Sequence, residues 1–257
     1  MATAYGGQID IGRVIQRGFS VIGRNAGPFL LAAILLTGLP NFLVQYLASP
    51  AMLLSSDPSG MRNESALGFV GLFGLVGLFA LFGGALLQAA VVRSAILELN
   101  GRPVDIGGSL RTSVSLVLPL LGLTIVSAFG IGLAFLLLIV PGLIVMCMWY
   151  VAVPVLVEER PGIFASLSRS SELTSGSRWH VFGLLIILWI LAGVVGAVFG
   201  IFPAMAAPES YLFIALAQAI AATVSAVFSA AMAASLYVEL RQVKEGATTD
   251  SLAAIFD

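Results

Sequence analysis

Apolar positions fall along the chain in five long uncharged runs, 27–56, 65–92, 112–157, 181–208 and 210–238. A hydrocarbon core of ~30 Å takes about 20 residues of helix. Four of the runs therefore fit one helix each, and 112–157 fits two. Pro141-Gly142 lies inside that long run, and the pair is a turn signal. The pattern predicts six helices, at about 28–49, 66–92, 114–140, 142–158, 180–203 and 210–240. The fourth is short and carries Pro154, a kink that a membrane helix tolerates when neighbours satisfy the freed carbonyl. A re-entrant pair in place of helices three and four is the alternative.

Between the runs the pattern turns amphipathic. In "IDIGRVIQRGFSVIGRN" the apolar residues Ile11, Val14, Ile15, Phe19 and Ile22 recur at helical spacing, with Arg13, Gln16, Arg17 and Arg24 on much of the other face. Such a helix, over 8–25, either lies in the lipid interface or docks against the end of the bundle. "VDIGGSLRTSVS", from Val104, echoes it before helix three. "ASLSRSSELTSGSRWHVFG", from Ala165, holds the equivalent place before helix five. Each odd-numbered helix thus has a lead-in, which suggests three units of lead-in plus helical hairpin. In the third lead-in, Pro161 suits a helix start, and Phe164, Leu167 and Leu173 form its apolar side. Arg169 and Glu172 are an i,i+3 pair, Gly176 fits the position after the helix, Ser177 the next cap, and Trp179 an interfacial anchor. The sixth helix continues as "SLYVELRQVKEG", with Arg241 and Glu245 paired at i,i+4. Gly246 is expected to end it, leaving 241–257 as a tail with an apolar stripe of Leu252, Ile255 and Phe256.

Composition decides the solvent. Hydrophobic residues make up 59% of 257 and charged residues 10%, with mean hydropathy +1.06, whereas a soluble domain carries roughly 25% charged residues. The fold class is therefore an all-α integral membrane protein. Eleven of the twelve Lys and Arg residues fall on one side of the six predicted helices; only Arg62 falls on the other. The positive-inside rule then places both termini and all three lead-ins in the cytoplasm. Asp10, Arg13, Arg17 and Arg24 interrupt residues 1–27, so no cleavable signal is expected there. A net charge of −1 offers nothing to nucleic acid. One cysteine and one histidine support neither an intrachain disulfide nor a structural zinc, and no cofactor is expected.

The interior narrows the chemistry. No Asp, Glu, Lys, Arg or His lies in the middle of a predicted helix, which argues against a proton-coupled transporter. Asn41, Gln45, Gln88 and Gln218 are candidate interhelical hydrogen bonders. Ala222, Ala226, Ala230 and Ala234 form a small-residue stripe in helix six, and Gly68, Gly71, Gly74 and Gly77 lie in helix two. His180 beside Ser175 and Ser177 invites a hydrolase reading, but a triad needs an orienting group and an oxyanion site that the sequence does not supply. No G-x-S-x-G or H-E-x-x-H lies at membrane depth, so no catalytic residue is assigned.

The segment "PGLIVMCMWYVAVPVLVEERPGIFASLSRSSELTSGSRWHVFG" resembles the signature of the multi-pass family named for the membrane domain of glycerophosphoryl diester phosphodiesterase. Ala165, Leu167, Arg169, Ser170, Leu173, Thr174, Gly176 and Trp179 fit its "A-L-x-R-S-x-x-L-T-x-G-x-x-W"-like run. The resemblance implies the membrane module without the catalytic barrel, whose paired histidines this sequence lacks. The expected function is a non-enzymatic inner-membrane module in membrane organisation, lipid handling or assembly of a partner complex. The alternative is a transporter or channel for a lipid or weakly charged small molecule. Expected partners are membrane lipids and a protein on the cytoplasmic face. Arg13, Arg17, Arg24, Arg169, Arg178, Trp179 and His180 are the candidate contacts. Lipid co-purifying in a groove between helices two and six would favour lipid handling, and a continuous polar cavity would favour transport.

Overall fold

The computed structural model describes residues 9–54, 63–101, 104, 106–207 and 210–256. These residues are all-α, with no strand among them. The helices are α1 (Ile11–Arg24), α2 (Ala26–Ala33), α3 (Leu39–Leu54), α4 (Asn63–Leu99), α5 (Ile106–Val114), α6 (Val117–Leu137), α7 (Ile139–Trp149), α8 (Ala152–Glu158), α9 (Ile163–Thr174), α10 (Arg178–Gly196), α11 (Phe202–Ala206) and α12 (Tyr211–Phe256). Two π-helical turns, Ile34–Gly38 and Ala197–Ile201, join α2 to α3 and α10 to α11. Six stretches are long and apolar enough to cross a membrane: Ala26–Tyr46, Gly74–Leu99, Val117–Leu137, Ile139–Glu158, Arg178–Ala206 and Tyr211–Glu245. The chain is a multi-pass membrane protein in this sense.

Prolines set many of the joints. Pro28, Pro40, Pro119, Pro141, Pro154 and Pro203 each stand second or third in a helical segment. At Pro28, Pro119, Pro141 and Pro154 the missing N–H costs little, because first-turn amides have no partner inside the helix, whereas Pro40 and Pro203 follow directly on π-turns whose shifted ladder accommodates them. This corrects two expectations. The turn between α6 and α7 falls at Leu138, in extended conformation (φ −163°, ψ 154°), three residues before Pro141. Gly142 serves packing instead: a Cβ there would lie 2.4 Å from the Phe135 ring. The joint between α7 and α8 falls at Tyr150–Val151, ahead of Pro154.

Other boundaries also differ. Pro161 precedes α9, which starts at Ile163 after Gly162 at φ +97°. Gly176, at φ +78°, follows α9 as expected, but the Ser177 side chain makes no capping bond to α10. Helix α12 runs through Gly246 to Phe256. The side chains of the predicted Leu252–Ile255–Phe256 stripe lie outside the described residues, as do Arg62 and the surroundings of Gly68 and Gly71.

The core gathers at one end of the bundle, around α12 and α4. Leu87, Val91, Val92, Ala95 and Ile96 of α4 pack with Val227, Ala230, Ala231, Ala234 and Leu236 of α12 and with Val151, Val155 and Leu156. Helix α1 lies on α12 through Val14, Gly18 and Val21. A Cβ at Gly18 would meet the Met232 sulfur at 2.5 Å. Phe19, expected on the buried side, is 53% exposed and meets Phe228 edge-on at 5.1 Å. In α4 the glycine that permits close approach is Gly83, whose Cβ would lie 2.2 Å from the Leu36 carbonyl oxygen; Gly74 and Gly77 face open space.

Candidate functional site

Two features dominate the end of the bundle where α1, α9 and the later part of α12 meet: a charged layer and, beside it, apolar grooves.

Glu239 anchors the layer. Its side chain is 1% exposed, and Arg17 Nη1 donates to Oε2 at 2.8 Å. Arg13 Nη1 stands 3.2 Å from Oε1 outside hydrogen-bond geometry, so that oxygen is compensated by charge alone. A buried carboxylate needs such partners, since desolvating an unpaired charge is prohibitive. Arg17 also bonds Gln242 at 3.1 Å. Glu159 forms the second node: it accepts from the Tyr237 hydroxyl at 2.9 Å and from Arg169 Nε at 3.2 Å. Arg169 further pairs with Glu172 at 3.6 Å and with Glu245. Burial works against the Arg169 charge, but Glu159 and Glu245 outweigh it and hold its pKa above the ordinary arginine value. Lys244 donates to the Glu172 carbonyl, and to the Ser175 hydroxyl at 2.9 Å. Arg241 completes the group with Glu245 at 2.6 Å. Arg24 stands 3.7 Å from Glu98, which also accepts from Asn25.

The serine-rich lead-in is a packing face. Ser166, Leu167, Ser170, Leu173 and Thr174 are buried, while Phe164, expected among them, is 74% exposed. The hydroxyls survive burial because each finds a carbonyl. Ser166 donates to Gly162 at 2.7 Å, Ser170 to Met148 at 2.6 Å and Thr174 to Ser170 at 2.9 Å. His180 is half-buried, and its backbone N–H closes the first turn of α10 onto Ser177. The Ser175 hydroxyl accepts from Lys244, and among the described residues no side-chain hydrogen bond joins His180 to Ser175 or Ser177.

The four amides do not join helices. Asn41, one residue after Pro40, donates to the Thr37 carbonyl of its own span at 2.8 Å, inside the π-turn that shifts the local ladder. Gln45 is exposed, and Gln88 and Gln218 are half-buried. Among the described residues none of the three bonds another helix. Polar contacts between helices come instead from hydroxyls, as where Ser94 of α4 meets Ser109 of α5 at 3.1 Å and Ser170 of α9 meets the Met148 carbonyl of α7.

The grooves are apolar. Core side chains fill most of the seam between α4 and α12, and only at its charged end do Ile96, Asn100, Tyr237, Arg241 and Glu245 line a polar cavity of about 280 Å³. An apolar cavity of about 360 Å³ lies between α10 and α12, lined by Leu185, Leu188, Trp189, Val224 and Phe228, with Phe19 of α1 at its wall. Ser225, Ser229 and Tyr150 add the polar positions, and the Tyr150 hydroxyl is buried without a hydrogen-bond partner. A second cavity, of about 370 Å³, lies between α7 and the start of α10. Leu143, Ile144, Cys147 and Phe182 line it, with Trp179 and Arg178. Trp179 is 84% exposed and stacks edge-on against Phe182 at 6.2 Å. Unlike Arg13, Arg17, Arg24 and Arg169, Arg178 has no ion pair among the described residues. A further apolar cavity, of about 460 Å³, lies between the first span and α12, although the two touch where Gly38 meets Thr223.

Sequence reasoning identified Arg178 and Trp179 but missed Phe19, Tyr150, Trp189 and Phe228 as groove residues. Ser225 and Ser229, four apart beside Phe228, were the available signal. It also missed Glu159 and Glu239 as nodes. Among the described residues no cluster of His, Cys, Asp and Glu could hold a metal ion. No family model, no curated protein and no solved structure matches the chain.

Proposed function

We propose that the chain is a non-enzymatic module of a bacterial inner membrane that handles membrane lipid. Its charged layer and both termini stand on the cytoplasmic side, where α1, α5 and α9 act as interfacial lead-ins. The observation that carries this reading is the cavity between α10 and α12. It is lined almost wholly by apolar side chains and holds no charge, and it suits an acyl chain rather than a polar solute. Arg178, Trp179 and His180 supply a cation, an interfacial indole and an imidazole at the start of α10, where lipid headgroups would stand. The resemblance to the membrane module of the phosphodiesterase family agrees with this, as does the lack of a catalytic constellation in the sequence. A protein partner on the charged face remains part of the same proposal.

The test is purification in mild detergent followed by mass spectrometry of bound lipids and proteins. The expected result is phospholipid retained at about one or more per chain. Complete absence of both lipid and partner contradicts the proposal.

A further inference from the structure

We infer that the α6–α7 hairpin does not cross the membrane: it enters from the charged face and turns back at Leu138 within the adjacent leaflet. Its apolar tip therefore meets the acyl chains of one monolayer.

Depth can be read from helix rise. From Glu239 to Tyr211, α12 descends about 42 Å at 1.5 Å per residue, and α10–α11 descend as far from Arg178 to Ala206. From Glu98 to Gly74, α4 descends about 36 Å. Each exceeds the ~30 Å core. The hairpin is tied differently. The Met148 carbonyl accepts from Ser170 at 2.6 Å and from Thr174 at 3.4 Å. Helix α9, which carries both, is fixed to the charged end of α12 by Arg169–Glu245 and by Lys244 on Ser175 and the Glu172 carbonyl. Leu138 is ten residues from Met148, at most about 15 Å along a helix. The tip therefore lies no farther than about half the core from the face of α9 that binds Met148.

Two further observations agree. Val140, two residues from the tip, lines the same cavity as Arg178 and Trp179 in the first turn of α10. A hairpin that crossed would carry Val140 toward the opposite end of α10. The tip is also built for lipid: Leu136, Leu137, Leu138, Ile139 and Val140 are 65–82% exposed. The Leu138 N–H bonds Ala134 at 3.1 Å and its carbonyl accepts from Gly142 at 3.3 Å. Both peptide groups of Leu138 are thus paired, as hydrocarbon favours. An even number of crossings is kept, so the charge asymmetry of the loops is unchanged.

The experiment uses the full chain with Cys147→Ala and single cysteines at Ser177, Ser210 and Leu138, in oriented vesicles probed with an impermeant maleimide. Ser177→Cys is expected to label from one face, Ser210→Cys from the other and Leu138→Cys from neither. A nitroxide on Leu138→Cys should be accessible to oxygen and shielded from a nickel chelate. Labelling of Leu138→Cys from the Ser210 face shows a crossing and overturns the inference. Labelling from the Ser177 face puts the tip in water and overturns it equally. Leu136→Cys repeats the measurement if Leu138→Cys does not fold. Loss of lipid binding leaves this result untouched, so the two proposals fail separately.

Discussion

Arg17 and Glu239, 222 positions apart in sequence, meet at 2.8 Å with the Glu239 side chain 1% exposed. The contact pins α1 to α12. Removing Arg17 strips the buried carboxylate of its one hydrogen-bonded cation and leaves only Arg13, 3.2 Å away, whereas neutralising the acid leaves an amide that still accepts from Arg17. Arg17→Ala is therefore expected to lose about 3 kcal/mol and Glu239→Gln about 1 kcal/mol. Unfolding titrations in mixed micelles measure both, and the reverse order contradicts the role of the pair.

Gly83 faces the backbone of the first span, with no room for a Cβ beside the Leu36 oxygen. Gly83→Ala should force α4 away and cost about 2 kcal/mol. Gly77→Ala, with nothing within 4 Å, is the control and should cost nothing. Equal stability of the two variants would show that the helices approach less closely than described.

Arg169 reaches Glu159, Glu172 and Glu245 at once. A double-mutant cycle between Arg169→Ala and Glu245→Ala should return a coupling of about 1 kcal/mol, as expected of residues sharing one network. Arg169→Lys should recover only part of the loss, because an ammonium cannot present the guanidinium fork to several carboxylates. Strict additivity would remove α9 from the end of α12.

His180→Ala should leave stability within about 0.5 kcal/mol, and ester hydrolysis by the purified chain should be the same background with or without the imidazole. A hydrolase activity abolished by this change would restore a catalytic reading.

Much of the fold is legible in the residues, and the misses have physical causes. Uncharged runs mark the apolar helices because a missing charge is a strong signal at membrane depth. The Arg169–Glu172 and Arg241–Glu245 pairs are local, so spacing alone finds them. Glu239 looks like one more surface charge in "LYVELR"; only α1, from the other end of the chain, buries it. Pro141-Gly142 reads as a turn, yet both residues serve an entering helix, one through its missing N–H and one through its missing side chain. The buried serines of α9, Ser166 and Ser170, look solvated in the sequence because composition does not reveal that each hydroxyl has a carbonyl within reach. The grooves were out of reach because they depend on which faces of α10 and α12 remain uncovered.

Native mass spectrometry of Ser229→Trp against the unaltered chain tests lipid handling most directly. Ser229 lines the cavity between α10 and α12, and an indole there fills it. Leu136→Trp, on the 82% exposed hairpin tip, controls for added bulk. The unaltered chain and Leu136→Trp should carry bound lipid through gentle detergent removal, and Ser229→Trp should carry less. Equal lipid on all three, or none on any, would contradict a lipid site between these helices.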